Sequence, residues 1–267
     1  MLKQRVITAL VIAPIVLALV FFAPGWLFAA VMLAMALVGA WEWSALTGSL
    51  DRNSRLGLVA LFGLLALGGG WLEERLPYPA ALLLYSVVAF AWWLFSLLWV
   101  AAWRIEFARS IKIICGVLTL LPALAAVLAL RNSSPWYLLI LLLLTSAADI
   151  GAYFAGRAFG RHKLAPLVSP GKTWEGVAGG VVLVSLLAAV ASHWLPTASL
   201  PFILICIAVA LLSVVGDLSE SLFKRQAGMK DSGTLFPGHG GLLDRVDSLT
   251  AAAPLFWLGT FWLGLQS

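Results

Sequence analysis

Charge is scarce in this sequence: 11% of its residues are Asp, Glu, Lys or Arg, against 62% hydrophobic ones. So few polar groups cannot cover the surface of an ordinary water-soluble domain, and the bilayer must be the solvent. Cysteine is almost absent. Cys115 and Cys206 each sit inside an apolar run, which excludes a disulfide framework, a thiolate metal site and a CxxC redox centre. A complete GxxxxGK[ST] phosphate loop is missing too; SPGKT at 169–173 matches only its second half. The excess of basic residues, +5 overall, needs no nucleic acid to explain it, because orientation in a membrane and anionic headgroups account for it.

What is abundant is apolar runs. A hydrocarbon core about 30 Å thick takes roughly 20 apolar residues per helix. Nine runs qualify, at 6–23, 26–46, 56–72, 80–103, 113–130, 135–155, 176–195, 200–216 and 248–265. The expected fold is therefore all-α: a polytopic membrane protein with about nine transmembrane helices. It forms one integral unit, with 1–110 as N-terminal helices and 111–267 as C-terminal helices that carry the chemistry. The first run lacks a cleavage site and reads as a retained span. Pro14, Pro122 and Pro254 fall inside spans, where neighbours can satisfy the freed carbonyls. Trp26, Trp41, Trp43, Trp71, Trp103, Trp136 and Trp194 lie near span ends and read as an interfacial belt.

Basic residues orient the array. With the N-terminus inside, every Lys and Arg except Arg75 and Arg131 falls on the cytoplasmic side. The links on the opposite side, such as RNSSP and LPTASLP, are rich in Pro and Ser. This predicts a cytoplasmic N-terminus.

Two inner segments concentrate the polar residues, 149–176 and 216–248. Asp149 lies within the sixth run, where a carboxylate costs roughly 2.5–3.5 kcal/mol and so calls for a partner, a wet cavity or a function. If the eighth helix continues through DLSESLFKR, then Asp217, Glu220, Ser221, Lys224 and Arg225 share a face. A helix starting near Gly241 would place Asp244, Asp247 and Ser248 on one face as well. Read blandly, these are i, i+4 ion pairs; read chemically, two carboxylate faces meeting at a bend suit Mg²⁺, as one ion or two.

The linker QAGMKDSGTLFPGHGG adds glycines, Gly240 and Gly241 among them, that let backbone N–H groups approach an anion. Lys224, Arg225, Lys230 and Arg245 supply charge for phosphoryl oxygens, and Ser169, Lys172 and Thr173 suit a phosphate-binding turn ahead of a helix near Trp174. His239 reads equally as a phosphate donor or as a structural one. Together these features favour phosphoryl or nucleotidyl transfer between a cytoplasmic nucleotide and a membrane-embedded acceptor. A transporter using Asp149 for coupling would show matching helix breaks in both halves, whereas the charges here cluster in the C-terminal half.

The stretch SLFKRQAGMKDSGTLFPGHGGLLDRVD, 221–247, closely resembles the signature of the phosphatidate cytidylyltransferases, or CDP-diacylglycerol synthases. The specified positions are Ser221, Lys224, Arg225, Lys230, Asp231, His239, Gly240, Gly241, Asp244, Arg245 and Asp247, together with interspersed small and apolar residues. DIGAYFAGRAFGR from Asp149 and SPGKTWEG from Ser169 are also similar to that family. The resemblance implies that CMP passes from CTP to phosphatidate, giving CDP-diacylglycerol and pyrophosphate, with Mg²⁺, at the cytoplasmic face of a bacterial inner membrane. It further implies metal ligation by Asp217 and Asp244, with Asp247 and Asp149 beside them. Lys224, Arg225, Lys230, Asp231, His239 and Arg245 would then be catalytic, and Ser169, Lys172, Thr173, Ser221, Gly240 and Gly241 would bind substrate. A CTP-dependent lipid-alcohol kinase, moving the γ-phosphate instead, is the alternative reaction. Membrane lipids and a second copy of the chain, as a homodimer, complete the expected partners; nucleic acid is not among them.

Overall fold

A run that is apolar on every side has nowhere to hide its side chains in water, and in a bilayer it must also satisfy its own backbone. Helix formation meets both demands, and helices dominate this computed structural model. It describes residues 2–48, 51–102, 105–195, 198–235 and 240–266, with side chains from residue 12 onward. The described residues hold α1 (Leu2–Phe22), α2 (Gly25–Leu46), α3 (Arg52–Arg75), α4 (Ala80–Ala101), α5 (Arg109–Ser133) and α6 (Pro135–Phe159). Strands β1 (Lys163–Ala165) and β2 (Ser169–Thr173) follow, then α7 (Trp174–Ser192), α8 (Ser199–Gln226) and α9 (Leu243–Trp262).

Seven of these helices, α2 to α8, are long and apolar enough to cross a membrane. The chain is an integral multi-pass membrane protein. Of α1, the described apolar part, Ile12–Phe22, is shorter than a span, and α9 opens on Asp244, Arg245 and Asp247. Leu64, Val182 and Leu186 point outward from mid-helix positions, the exterior expected where lipid is the solvent.

Contacts sort the helix termini into two ends. At one, Trp43 of α2 donates its indole N–H to the Lys112 carbonyl at 2.8 Å, and Gln226 at the end of α8 donates to the Ile105 carbonyl at 2.9 Å. At the other, Arg131 donates to the carbonyls of Val20 and Ala23, and Tyr137 to that of Leu265. The basic loops gather at the first end, and Arg131 sits at the second.

Two helix pairs bring the polar segments together. Helices α6 and α7 meet backbone to backbone through small residues: a Cβ on Gly180 would sit 2.8 Å from the Ala148 carbonyl oxygen, and one on Gly176 2.9 Å from that of Ala152. Helices α8 and α9 cross at Gly216, where a Cβ would lie 2.7 Å from the Asp247 carbonyl oxygen.

Helix α8 runs past the end of its apolar run at Gly216 to Gln226, the continuation through DLSESLFKR that carries Asp217, Glu220, Ser221, Lys224 and Arg225 on one helix, because Leu218, Leu222 and Phe223 form a buried face beneath the charged residues. Two expectations need amendment. The segment around SPGKT is not a bare turn; it forms β2, antiparallel to β1, with Lys163 opposite Thr173 and Ala165 opposite Ser169. Trp43 is no interfacial residue but is buried against Phe223, with ring centroids 4.8 Å apart, because the end of α2 is covered by α8. Trp26, Trp71, Trp136 and Trp194 are exposed as expected, while Trp103 lies outside the described residues.

Candidate active site

The hairpin is fixed from both sides. Val168, in its turn, is buried in the apolar cluster that includes Leu218, Leu222 and Phe223 of α8. Glu175, in the first turn of α7, holds the ring Nδ1 of His162 at 2.7 Å and accepts from its backbone N–H. Thr173 then ends β2 and caps α7, its hydroxyl oxygen accepting from the Gly176 N–H at 3.1 Å. Lys172 is thereby placed one residue ahead of a helix N-terminus, on a rigid support.

Across from it stands α8. The Lys172 ammonium meets the Asp217 carboxylate at 2.6 Å, with about a quarter of each side chain exposed (24% and 27%). Asp149, Tyr153, Gly171, Lys172, Thr173 and Asp217 line a cleft of about 230 Å³ between α6, α7 and α8. The two polar segments thus share one cavity.

Behind it lies a second layer. Lys224 is buried and forms ion pairs with Glu220 one turn earlier, at 3.1 Å, and with Asp244 at the start of α9, at 2.6 Å. The other oxygen of Asp244 accepts from the backbone N–H groups of Ser232 and Gly241, each at 2.8 Å, and from the Ser232 hydroxyl at 3.0 Å. Burial alone would raise the Asp244 pKa, but the Lys224 ammonium and the Gly241 and Ser232 N–H groups outweigh it and hold the carboxyl below its usual value. Gly240 takes φ +82°, and its Cβ would overlap Asp244, so only glycine fits that turn.

The remaining expected residues divide by position. Arg245 and Lys172 both exert their charge on Asp149, and Asp217 and Asp247 lie within reach of each other's charge. Ser221 leans on Asp217, its hydroxyl 3.4 Å from the carboxylate. Ser169 opens β2, while Arg225 points outward and reaches the carbonyls of Val168 and Met229 only at 3.4 Å. Lys230 and Asp231 are exposed on the turn. Gly241 gives its N–H to Asp244, so the anion held at that turn is the protein's own. His239 lies outside the described residues.

No metal cluster of three or more His, Cys, Asp or Glu side chains converges among the described residues. That is compatible with Mg²⁺, which usually takes one or two carboxylates and completes its shell with water and phosphate oxygens. Asp217, with Asp149 or Asp247 beside it, fits this donor set once its partly exposed contact with Lys172 is exchanged for a cation, whereas both oxygens of Asp244 are held by Lys224, Ser232 and Gly241.

One residue of this region went unpredicted. Glu42, on α2, is buried at 5% exposure and accepts from the Leu242 and Leu243 N–H groups at 2.9 and 2.8 Å, with the Ser232 hydroxyl, shared with Asp244, 3.1 Å from its Oε2. Its signal was present: it is a lone carboxylate between two tryptophans inside an apolar run, as costly there as Asp149 in its own.

A basic and acidic cleft at one end of a membrane helix array, beside a helix N-terminus, is a place where phosphorylated substrates and lipid can meet. The chain belongs to the cytidylyltransferase family, whose model matches residues 3–262. It is 40% identical to a phosphatidate cytidylyltransferase of Haemophilus influenzae, over 96% of this chain and 97% of the relative. It is also 40% identical to one of Pseudomonas aeruginosa, over 96% of both, and 50% identical over 120 residues to one of Brucella suis.

Proposed function

We propose that this chain transfers CMP from CTP to phosphatidate, releasing pyrophosphate and forming CDP-diacylglycerol for phospholipid synthesis. The observation that carries the reading is the cleft that joins Asp149, Lys172, Thr173 and Asp217 in a chain alike over nearly its whole length to relatives named for this reaction. An oxygen of the phosphatidate phosphate attacks the α-phosphorus of CTP; the bond from that phosphorus to the β-bridging oxygen breaks, and its electron pair leaves with pyrophosphate. A phosphate monoester is already nucleophilic, so the step needs no strong base.

Catalysis then rests on alignment and charge. Lys172 and Arg245 offset phosphoryl charge at the cleft, and the Ser169 and Thr173 hydroxyls orient oxygens. Lys224 is committed to Glu220 and Asp244, so its part is to fix α8 against α9. Mg²⁺ would be held by Asp217 with Asp149 or Asp247, and when bound it neutralises charge on the triphosphate. The loops carrying this end hold nearly all Lys and Arg, which supports a cytoplasm-facing site in a bacterial inner membrane and a cytoplasmic N-terminus.

The reading is tested with the purified protein in detergent, supplied with phosphatidate, Mg²⁺ and one of the four ribonucleoside triphosphates at a time. Liponucleotide and pyrophosphate should appear in equal amounts with CTP. Product formed equally well from ATP, GTP and UTP would contradict the assignment.

A further inference from the structure

Helix α9 begins without a cap of its own. Its N-cap position is Leu242, whose side chain accepts nothing, so the first N–H groups of the helix need another acceptor. Glu42 supplies it from α2, a helix far away in sequence. Its two oxygens take the Leu242 and Leu243 N–H groups, and a negative charge there also suits the positive end of the helix dipole.

The contact is moulded around that carboxylate. A Cβ on Gly233 would sit 2.5 Å from Glu42 Oε1, and one on Gly241 2.5 Å from Oε2. The Ser232 hydroxyl lies between Glu42, at 3.1 Å, and Asp244, at 3.0 Å, so one side chain ties both carboxylates to the same turn. Asp244 in turn holds Lys224, and the helix so started carries Arg245 and Asp247 toward Asp149 and Asp217.

We propose that Glu42 is a positioning residue of the nucleotidyl-transfer site: from the N-terminal half of the chain it sets the start of α9, and with it the placement of Asp244, Arg245 and Asp247. The proposal rests on the functional reading above for its effect on turnover, but its structural half can be read without activity.

The test uses the full-length protein with Glu42→Gln, which keeps the shape but removes the second acceptor oxygen, and Ser232→Ala, which removes only the bridge. Hydrogen exchange followed by mass spectrometry should show the amides of 240–246 exchanging at least ~10-fold faster in Glu42→Gln, with α5 and α6 unchanged. The turnover number should fall ~10- to 100-fold per folded molecule, with the KM for CTP changed less than about threefold, because alignment is lost while the phosphate-binding cleft remains. Ser232→Ala should move both readouts the same way by less. Unchanged exchange at 240–246, or normal turnover per folded molecule despite lowered stability, would overturn the proposal. Should Glu42→Gln fail to fold, Glu42→Asp decides, since its shorter side chain cannot reach both the Leu242 and Leu243 N–H groups: wild-type exchange and turnover would overturn it equally. If the unaltered protein makes no CDP-diacylglycerol, the functional reading falls, and the exchange measurement still judges the cap.

Discussion

Lys172 on β2 and Asp217 on α8 face each other at 2.6 Å across a cleft, joining the two polar segments of an otherwise apolar chain. The pair is partly open to solvent, so its own contribution to stability is small, on the order of 0–1 kcal/mol. Its value lies in being displaceable: substrate phosphate can take Lys172 while a cation takes Asp217.

Substituting Lys172→Ala or Asp217→Asn should therefore separate activity from folding. Each should lower turnover by roughly 10²- to 10³-fold, the size of a lost electrostatic contact to the reacting phosphoryl group. The unfolding midpoint in detergent should stay within a few degrees of the parent. Near-normal turnover in both variants would remove the cleft from the chemistry.

The crossing of α8 and α9 makes a different prediction. A methyl at Gly216 would lie 2.7 Å from the Asp247 carbonyl oxygen and 2.9 Å from the Ala251 Cβ, so the helices must separate. Gly216→Ala should cost about 1–3 kcal/mol from overpacking and lower activity by displacing Asp217 from Asp247. Thermal unfolding and turnover measured together check this; an unchanged midpoint would show that the crossing is looser than described.

Lys224 should behave as a structural ion. It lies buried between Glu220 and Asp244, and Lys224→Met leaves two carboxylates buried without their cation. The expected cost is about 3–5 kcal/mol, read as a large drop in the unfolding midpoint. A variant as stable as the parent but inactive would return Lys224 to a direct role on substrate.

Much of this architecture is written in the sequence, and the exceptions have physical causes. Apolar runs locate the helices because the bilayer leaves a spanning chain few other options, and the Glu220 to Lys224 spacing gave their contact correctly because i, i+4 residues are neighbours on any helix. The extension of α8 past Gly216 was legible in the same way, once Leu218, Leu222 and Phe223 are seen to continue its buried face. The β1 and β2 hairpin was not, since its pairing depends on Val168 docking against α8 and on Glu175 gripping His162, both contacts between separate elements. Asp244 looked like Asp217 in sequence, yet only the fold reveals that its oxygens serve Lys224, Ser232 and Gly241. Glu42 escaped notice because its partners lie on a different helix, although its cost within an apolar run was as visible as that of Asp149.

The central claim is the identity of the group transferred. The decisive measurement incubates the purified protein with phosphatidate, Mg²⁺ and CTP labelled separately at the α- and γ-phosphates. The account predicts α label in the lipid and γ label in released pyrophosphate; γ label in the lipid, with CDP as the other product, would contradict it.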